Sequence, residues 1–137
     1  PPPPPPPPPA PKEEEIFRVV EQMPRFPGCE DIAGSQDEKK ACADQKMLEF
    51  LYGNIKYPAI ARENGIEGNV VVSFVVETDG SISDPKIIRD PGAGLGEEAL
   101  RVVDLMGNLP QKWTPGQQRG NPVPVQFILP VKFELKN

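Results

Sequence analysis

The chain has 137 residues, a net charge of −5, 20 prolines and no histidine. Histidine-dependent triads and histidine-held metals are excluded, two cysteines are too few for a zinc cage, and an acidic chain lacks the basic face that nucleic acid requires. No stretch approaches the roughly 20 apolar residues of a membrane span. The chain beyond the first 15 residues, about 122, suits one domain rather than two.

Pro1 to Pro9 is an unbroken run. The stretch to Pro11 should adopt polyproline II, in which nine prolines span roughly 28 Å. A spacer is the expected role; an inert linker and a ligand for a proline-binding module are the alternatives. Lys12-Glu13-Glu14-Glu15 reads as a solvated charge run. A natural chain rarely starts inside a proline run, and no secretory signal is present, so the sequence reads as the C-terminal piece of a longer protein.

Ile16–Glu21 is short, β-branched and bounded by charge and Pro24, which predicts a strand. Pro24, Pro27 and Gly28 then enforce turns. Ser35-x-x-Glu38 is a capping box, and Met47, Phe50, Leu51 and Ile55 recur behind it at helical spacing. A helix is expected from Gln36 to Tyr52, stopped by Gly53-Asn54. Pro58 suits the start of a second short helix ending at Asn64, with Gly65 as its terminator.

Asn69–Glu77 alternates with apolar residues on both faces and so predicts a central strand. Thr78-Asp79-Gly80-Ser81 is a hairpin turn. Ile82–Arg89 returns as its partner, with Pro85 implying an edge position or a bulge. Leu95, Ala99, Val102, Val103 and Met106 form the stripe of a helix covering one sheet face, ended by Gly107, Asn108 and Pro110. Lys112–Asn121 reads as a turn-rich loop. The final alternation places Val123, Val125, Phe127, Leu129, Val131, Phe133 and Leu135 at every second position.

Pro124 and Pro130 lie inside that final run, both at even numbers. Backbone N–H and C=O pairs of successive residues address opposite edges of a strand, so both missing donors fall on one edge. A central strand would not tolerate two such gaps; an edge strand does. The even-numbered groups of Gln126, Ile128 and Lys132 should therefore face outward. Two readings follow: proline and Lys132 blunt the edge against aggregation, or the edge docks an extended peptide by β-augmentation.

Cys29 and Cys42 also admit two readings, a pair of buried free thiols or a disulfide closing the loop ahead of the first helix. The disulfide is preferred because Arg25–Lys40 is polar and poor in core residues; such a staple is worth roughly 3 kcal/mol and implies an oxidising compartment. Gly92-x-Gly94-x-Gly96 before a helix lacks the full phosphate-loop fingerprint. Asp84, Asp90, Glu97 and Glu98 have ordinary turn and helix-start placements.

Tyr57-Pro58-Ala59-x-Ala61-Arg62, Gly65-Ile66-Glu67-Gly68, Val70-x-Val72-x-Phe74-x-Val76, Asp79-Gly80-Ser81-Ile82, Ala99, Trp113-Thr114-Pro115-Gly116 and the closing alternation stand in one order. Together they resemble the C-terminal domain of the TonB energy transducers, over Tyr57–Leu135. Met23-Pro24-x-Phe26-Pro27-Gly28 is similar to the lead-in of one version of that family, whereas Cys29–Ala43 looks like an insertion. The resemblance implies a periplasmic, non-enzymatic adaptor without cofactor. It would be anchored in the inner membrane by an upstream helix and worked on by a proton-driven motor complex. It would bind the TonB box of outer-membrane active transporters as a strand added to its last β-strand. Carried onto this sequence, the docking edge is Val125, Gln126, Phe127, Ile128, Leu129 and Val131, and the loop Asn54, Lys56, Tyr57 and Pro58 is similar to a second segment that touches the box. A homodimer is a further partner option, and Ile16–Glu21 is a candidate to occupy the docking edge itself.

The expected fold is α+β, a small antiparallel sheet with helices on one face. The expected organisation is a spacer and charged linker over 1–15, a strand, Cys-containing insertion and helix over 16–56, and the TonB-like domain over 57–137. A cell-wall or scaffold-binding module on the same spacer is the alternative function. A small hydrolase using Asp84 or Glu97 is the third.

Overall fold

Nine residues from Gly68 to Val76 form the strand around which everything else packs. The computed structural model describes residues 2–5 and 16–135. Most of the proline run and the Lys12–Glu15 charge run lie outside the described residues. The elements in chain order are α1 (Gln36–Asn54), α2 (Ala59–Glu63), β1 (Gly68–Val76), β2 (Ile82–Arg89), α3 (Leu95–Gly107), β3 (Gly116–Gln118), β4 (Asn121–Val123) and β5 (Val125–Phe133). The main sheet is antiparallel in the order β2-β1-β5, and β3 and β4 form a separate small hairpin. The α+β architecture is the one expected, and β1 is the central strand.

On one face of β1 the side chains of Val70, Val72, Phe74 and Val76 are fully buried. They meet Leu95, Ala99, Val102, Val103 and Met106 of α3, Ala43, Met47 and Leu51 of α1, and Phe127 to Phe133 at odd positions of β5. Burial of each such aliphatic side chain contributes about 1.5–3 kcal/mol. On the opposite face Ser73 is 2% and Val75 4% exposed, outside the core cluster that the helices share. Ser73 stands between Lys86 of β2 and Ile128 of β5, and Val75 between Ser83 and Gln126, so β1 is flanked on both sides, in keeping with the apolar alternation on both faces in the sequence.

The hairpin between β1 and β2 turns at Gly80, where φ is +84°. An added Cβ there would stand 2.2 Å from the backbone oxygen of Trp113. The Asp79 carboxylate accepts the N–H of Ser81 at 2.9 Å and its hydroxyl at 2.6 Å. These bonds hold its pKa down to about 2. β2 then loses register with β1 twice, once around Asp84-Pro85. Both alternatives foreseen for Pro85, edge and bulge, occur together.

α1 begins at Ser35, whose hydroxyl accepts the N–H of Glu38 at 3.2 Å. It runs two residues beyond the expected stop. The Gly53-Asn54 pair is still helical, and the Asn54 side chain donates to the Phe50 carbonyl at 2.7 Å. Trp113 anchors the loop before β3 by T-shaped packing against Phe26, Phe74 and Phe127, with ring centroids 5.5–5.6 Å apart. Such pairs add about 0.5–1.5 kcal/mol each beyond area burial. The expected turn-rich loop over Lys112–Asn121 contains β3 and the start of β4.

The expected strand over Ile16–Glu21 does not form. A strap from Ile16 to Gly28 touches the domain through isolated bridges: Phe17 to Val125 in parallel, Gln22 to Gln117, and Arg25 to Thr114. Pro124 has no N–H, so the ladder cannot extend upstream of Phe17. Downstream the chain bends at Arg18-Val19, leaving Val19 84% exposed and burying Val20. The strap is fixed at its far end. Arg25 is buried and donates from both Nε and an Nη to the two oxygens of Glu30, each at 2.7 Å. Cys29 and Cys42 are disulfide-bonded, with Cα atoms 5.9 Å apart, tying the strap to α1.

Removing the staple with Cys29→Ser and Cys42→Ser together should lower unfolding stability by about 3 kcal/mol, read as a lower urea midpoint with an unchanged baseline fold. The Arg25 guanidinium holds the Glu30 carboxyl below the usual carboxylate range. A depressed carboxylate pKa contributes stability that is present above the ordinary value of about 4.3 and lost as pH falls toward the folded value. Denaturant titrations from pH 6 to pH 3 should therefore show a smaller acid-induced loss in Glu30→Gln than in the parent, and Glu30→Gln should be the weaker protein at pH 6.

Candidate docking edge along the final strand

β5 pairs with β1 in an unbroken register of nine residues, from Val125 opposite Val76 to Phe133 opposite Gly68. Its side chains alternate without exception. Val125, Phe127, Leu129, Val131 and Phe133 are buried, while Gln126, Ile128, Pro130 and Lys132 lie on the outer face. Backbone direction follows the same parity. The N–H of Gln126 donates to the Phe17 carbonyl at 2.7 Å, away from β1, and the Pro124 carbonyl accepts the Phe17 N–H at 2.9 Å. The N–H of Lys132 also points outward and donates to the Tyr52 hydroxyl at 3.2 Å. Even-numbered groups therefore address the free edge and odd-numbered groups address β1, as the two even-numbered prolines require.

Among the described residues, the carbonyl of Gln126, the N–H and carbonyl of Ile128 and the carbonyl of Pro130 have no backbone or side-chain partner. This stretch holds a single open donor, Ile128. The Ile128 side chain beside it is 50% exposed.

The sheet has a second edge, β2, which is a poor template. Its register breaks twice, Asp84 sits at φ +51°, and Lys86 pairs with Asp84 across the irregularity at 3.1 Å. Bulges and charge blunt an edge against pairing. Of the two edges only β5 offers evenly spaced groups.

A helical ridge borders this edge. Lys40 lies 5.7 Å from the centroid of the Phe127 ring, and the Tyr52 hydroxyl reaches Lys132. These two contacts run α1 alongside β5, and the i, i+4 row between them carries Asp44 and the half-exposed Leu48. Lys40 and Asp44 are ion-paired. A strand laid on the open edge would thus have Ile128 on one side and Leu48 on the other.

The residues named from sequence distribute unevenly over this geometry. Gln126 and Ile128 lie on the open edge. Val125, Phe127, Leu129 and Val131 stand behind it, with side chains in the core and backbones toward β1, so they support the edge without facing a guest. Asn54, Lys56, Tyr57 and Pro58 form a separate cluster near the far end of β5. The Lys56 N–H donates to Glu98, an Nη of Arg101 donates to the Asn54 carbonyl at 2.9 Å, and Pro58 precedes α2. Tyr57 packs edge-on against Phe133 at 5.6 Å and bonds through its hydroxyl to the Ile66 carbonyl. One N–H of the Asn54 amide is committed to the Phe50 carbonyl, which fixes the side chain against its own helix. Sequence reading missed Lys40, Leu48 and Tyr52. Their signal was a spacing of four along α1 on the side flanking the apolar stripe.

The glycine-rich turn before α3 is filled from within. One Asp90 oxygen accepts the N–H groups of Gly92 at 2.8 Å and Gly96 at 3.1 Å, so the chain's own carboxylate stands where a phosphate loop would hold an anion. Asp84 is paired in β2, and Glu97 is exposed in the first turn of α3.

Comparison with known proteins gives one family. The family model described as Gram-negative bacterial TonB protein C-terminal matches residues 53–135. Protein TonB of Helicobacter pylori strain J99 is 47% identical over 92 residues, covering 66% of this chain and 30% of that protein. Protein TonB of Neisseria gonorrhoeae is 31% identical over 80 residues, covering 58% and 24% respectively. The chain thus spans less than a third of the curated relatives it matches. The solution structure of the H. pylori TonB C-terminal domain, residues 194–285, superposes with a TM-score of 0.52 at 28% identity, covering 68% of this chain and 94% of that one. A longer form of the same domain superposes with a TM-score of 0.54.

The parity of β5 is directly measurable. Amide hydrogen exchange should be slow at Phe127, Leu129 and Val131, and faster by at least about tenfold at Ile128 than at either neighbour. Equal protection at Ile128, Phe127 and Leu129 would contradict the assignment.

Proposed function

The chain belongs to the family of Gram-negative bacterial TonB C-terminal domains, and from that premise we propose that it is the periplasmic partner-binding end of an energy transducer, docking an extended transporter segment on the free edge of β5. Family membership makes it a non-enzymatic domain. The guest is the TonB box of an outer-membrane active transporter. The rest of the machine, an inner-membrane helix upstream of the proline run and a motor driven by the proton gradient, acts through the spacer.

The observation that carries the reading is the open run from the Gln126 carbonyl to the Pro130 carbonyl on an otherwise regular nine-residue edge strand. Four backbone groups with one donor among them support a short register. Net contributions of about 0.5–1.5 kcal/mol per bond give about 2–6 kcal/mol at most. Lost translational and rotational freedom costs about 4 kcal/mol or more. The ladder alone therefore leaves little or no surplus, and apolar contacts to Ile128 and Leu48 supply the margin and select the guest. Weak, reversible pairing suits a coupling that must release in each cycle.

Ile128→Pro tests this with little disturbance of the domain, because the lost N–H has no partner among the described residues. The variant should keep the parental urea midpoint to within about 1 kcal/mol and bind a synthetic TonB-box peptide about tenfold more weakly by titration calorimetry. Undiminished binding by a folded Ile128→Pro protein would rule out strand addition at this edge.

A further inference from the structure

The docking edge is already partly taken by the chain itself. Phe17 donates its N–H to the Pro124 carbonyl and accepts from the Gln126 N–H, the geometry of a first parallel pairing on β5. A guest using the whole outward edge from Pro124 to Pro130 would find two donors, Gln126 and Ile128. With Phe17 in place it finds one. Building on the docking reading above, we propose that Ile16–Val20 is a displaceable intramolecular competitor for the guest strand, so that guest docking and release of this segment are two sides of one equilibrium.

Three features fit a competitor better than a fixed structural strand. The contact is short: Pro124 cannot donate to anything upstream of Phe17, and the chain bends away at Arg18-Val19 before it reaches Ile128. Its cover is thin over most of its length, with Ile16 52% and Val19 84% exposed and Val20 the one buried side chain, at its downstream end. And release need not unravel the domain. Beyond the bend the strap is fastened independently, by Gln22 to Gln117 in both directions, by Arg25 to Thr114 in both directions, and by the Cys29–Cys42 bridge. The competitor can leave while its anchor stays.

Coupling between the two events is reciprocal by linkage. A guest that takes the Gln126 N–H frees the chain from Phe17 back to the spacer. The stretch from Phe17 to the next fastening at Glu21, whose N–H donates to the Gln118 side chain at 3.0 Å, then adds up to roughly 14 Å of extensible chain. Conversely, anything that holds the upstream chain away from β5 raises affinity for the guest. The edge is thereby wired to the segment that leads into the proline run.

Phe17→Pro removes the donated N–H while keeping an extended backbone, and the full chain is used throughout. In the absence of any peptide, exchange of the Gln126 amide should accelerate at least about tenfold over the parent, while the Gln117 and Thr114 amides, which report the retained strap, keep their protection. With a synthetic TonB-box peptide the variant should bind roughly five- to thirtyfold more tightly, the equivalent of two weak backbone bonds no longer contested. In the parent, the Phe17 amide should lose protection as peptide is added. Equal affinity for both proteins, with Phe17 still protected in the parental complex, would overturn the competition and leave the docking reading intact. Absence of peptide binding to either protein, with accelerated exchange at Gln126 in the variant, would instead overturn the docking reading and the competition with it. Unchanged exchange at Gln126 in Phe17→Pro would overturn the self-pairing alone. If Gln117 and Thr114 also lost protection, deletion of residues 1–17, which leaves every later fastening in place, provides the same comparison, and tighter or unchanged peptide binding then decides for or against the competition.

Discussion

The constraint on which this molecule turns is an absent pair of hydrogen-bond donors. Pro124 and Pro130 fall at the same parity in an extended run, so every missing N–H lies on one side of β5. That side can never be the interior of a sheet. The other side carries an unbroken nine-residue ladder to β1, whose inner face is sealed by α3 and α1. A strand so arranged is held firmly from behind and left open in front. From Gln126 to Pro130 its outward carbonyls have no partner among the described residues, while the donors between the prolines are only Gln126 and Ile128 and the Lys132 N–H beyond them is held by Tyr52.

The layers behind the edge convert this local rule into a platform. Phe127 stacks on Phe74 at 5.3 Å, and both rings meet Trp113, so the middle of β5 is immobilised by aromatic packing beneath the open backbone groups. α1 is fastened to the strap by the Cys29–Cys42 bridge and runs alongside β5, touching it near Phe127 and at Lys132. The disulfide thus does more than close a polar loop. It joins the helix that borders the edge to the segment that partly covers it. A chain built this way can exchange its first pairing partner without remodelling its core.

Much of this was legible in the residues. The alternation of Val70 to Val76 on both faces marked a central strand, and β1, flanked on both sides, buries Ser73 and Val75 outside the core cluster that the helices share. The Asp79-Gly80 turn, the α3 stripe and the parity of Pro124 and Pro130 each stated a local physical rule that tertiary packing had no reason to override. Where reading failed, the deciding interaction was non-local. Ile16–Glu21 has strand composition, but whether it becomes a strand depends on how many groups the β5 edge can offer and on where Gln22 is fastened. Val125, Phe127, Leu129 and Val131 were named with the docking edge, and parity sets their backbones toward β1, behind the outward groups of Gln126 and Ile128. The ridge Lys40, Asp44, Leu48 and Tyr52 was visible as a spacing of four, yet nothing in the sequence said which element it would border.

Contacts between labelled protein and unlabelled guest test the central claim most directly. Isotope-filtered nuclear Overhauser spectra of the labelled chain with a TonB-box peptide should show close approaches from peptide backbone protons to the Ile128 amide proton and to the α-protons of its immediate neighbours in β5. Side-chain contacts should reach the Ile128 methyls on one side and the Leu48 methyls on the other. Contacts confined to β2, to the Asn54–Pro58 loop or to α3, with none to Ile128, would contradict the account.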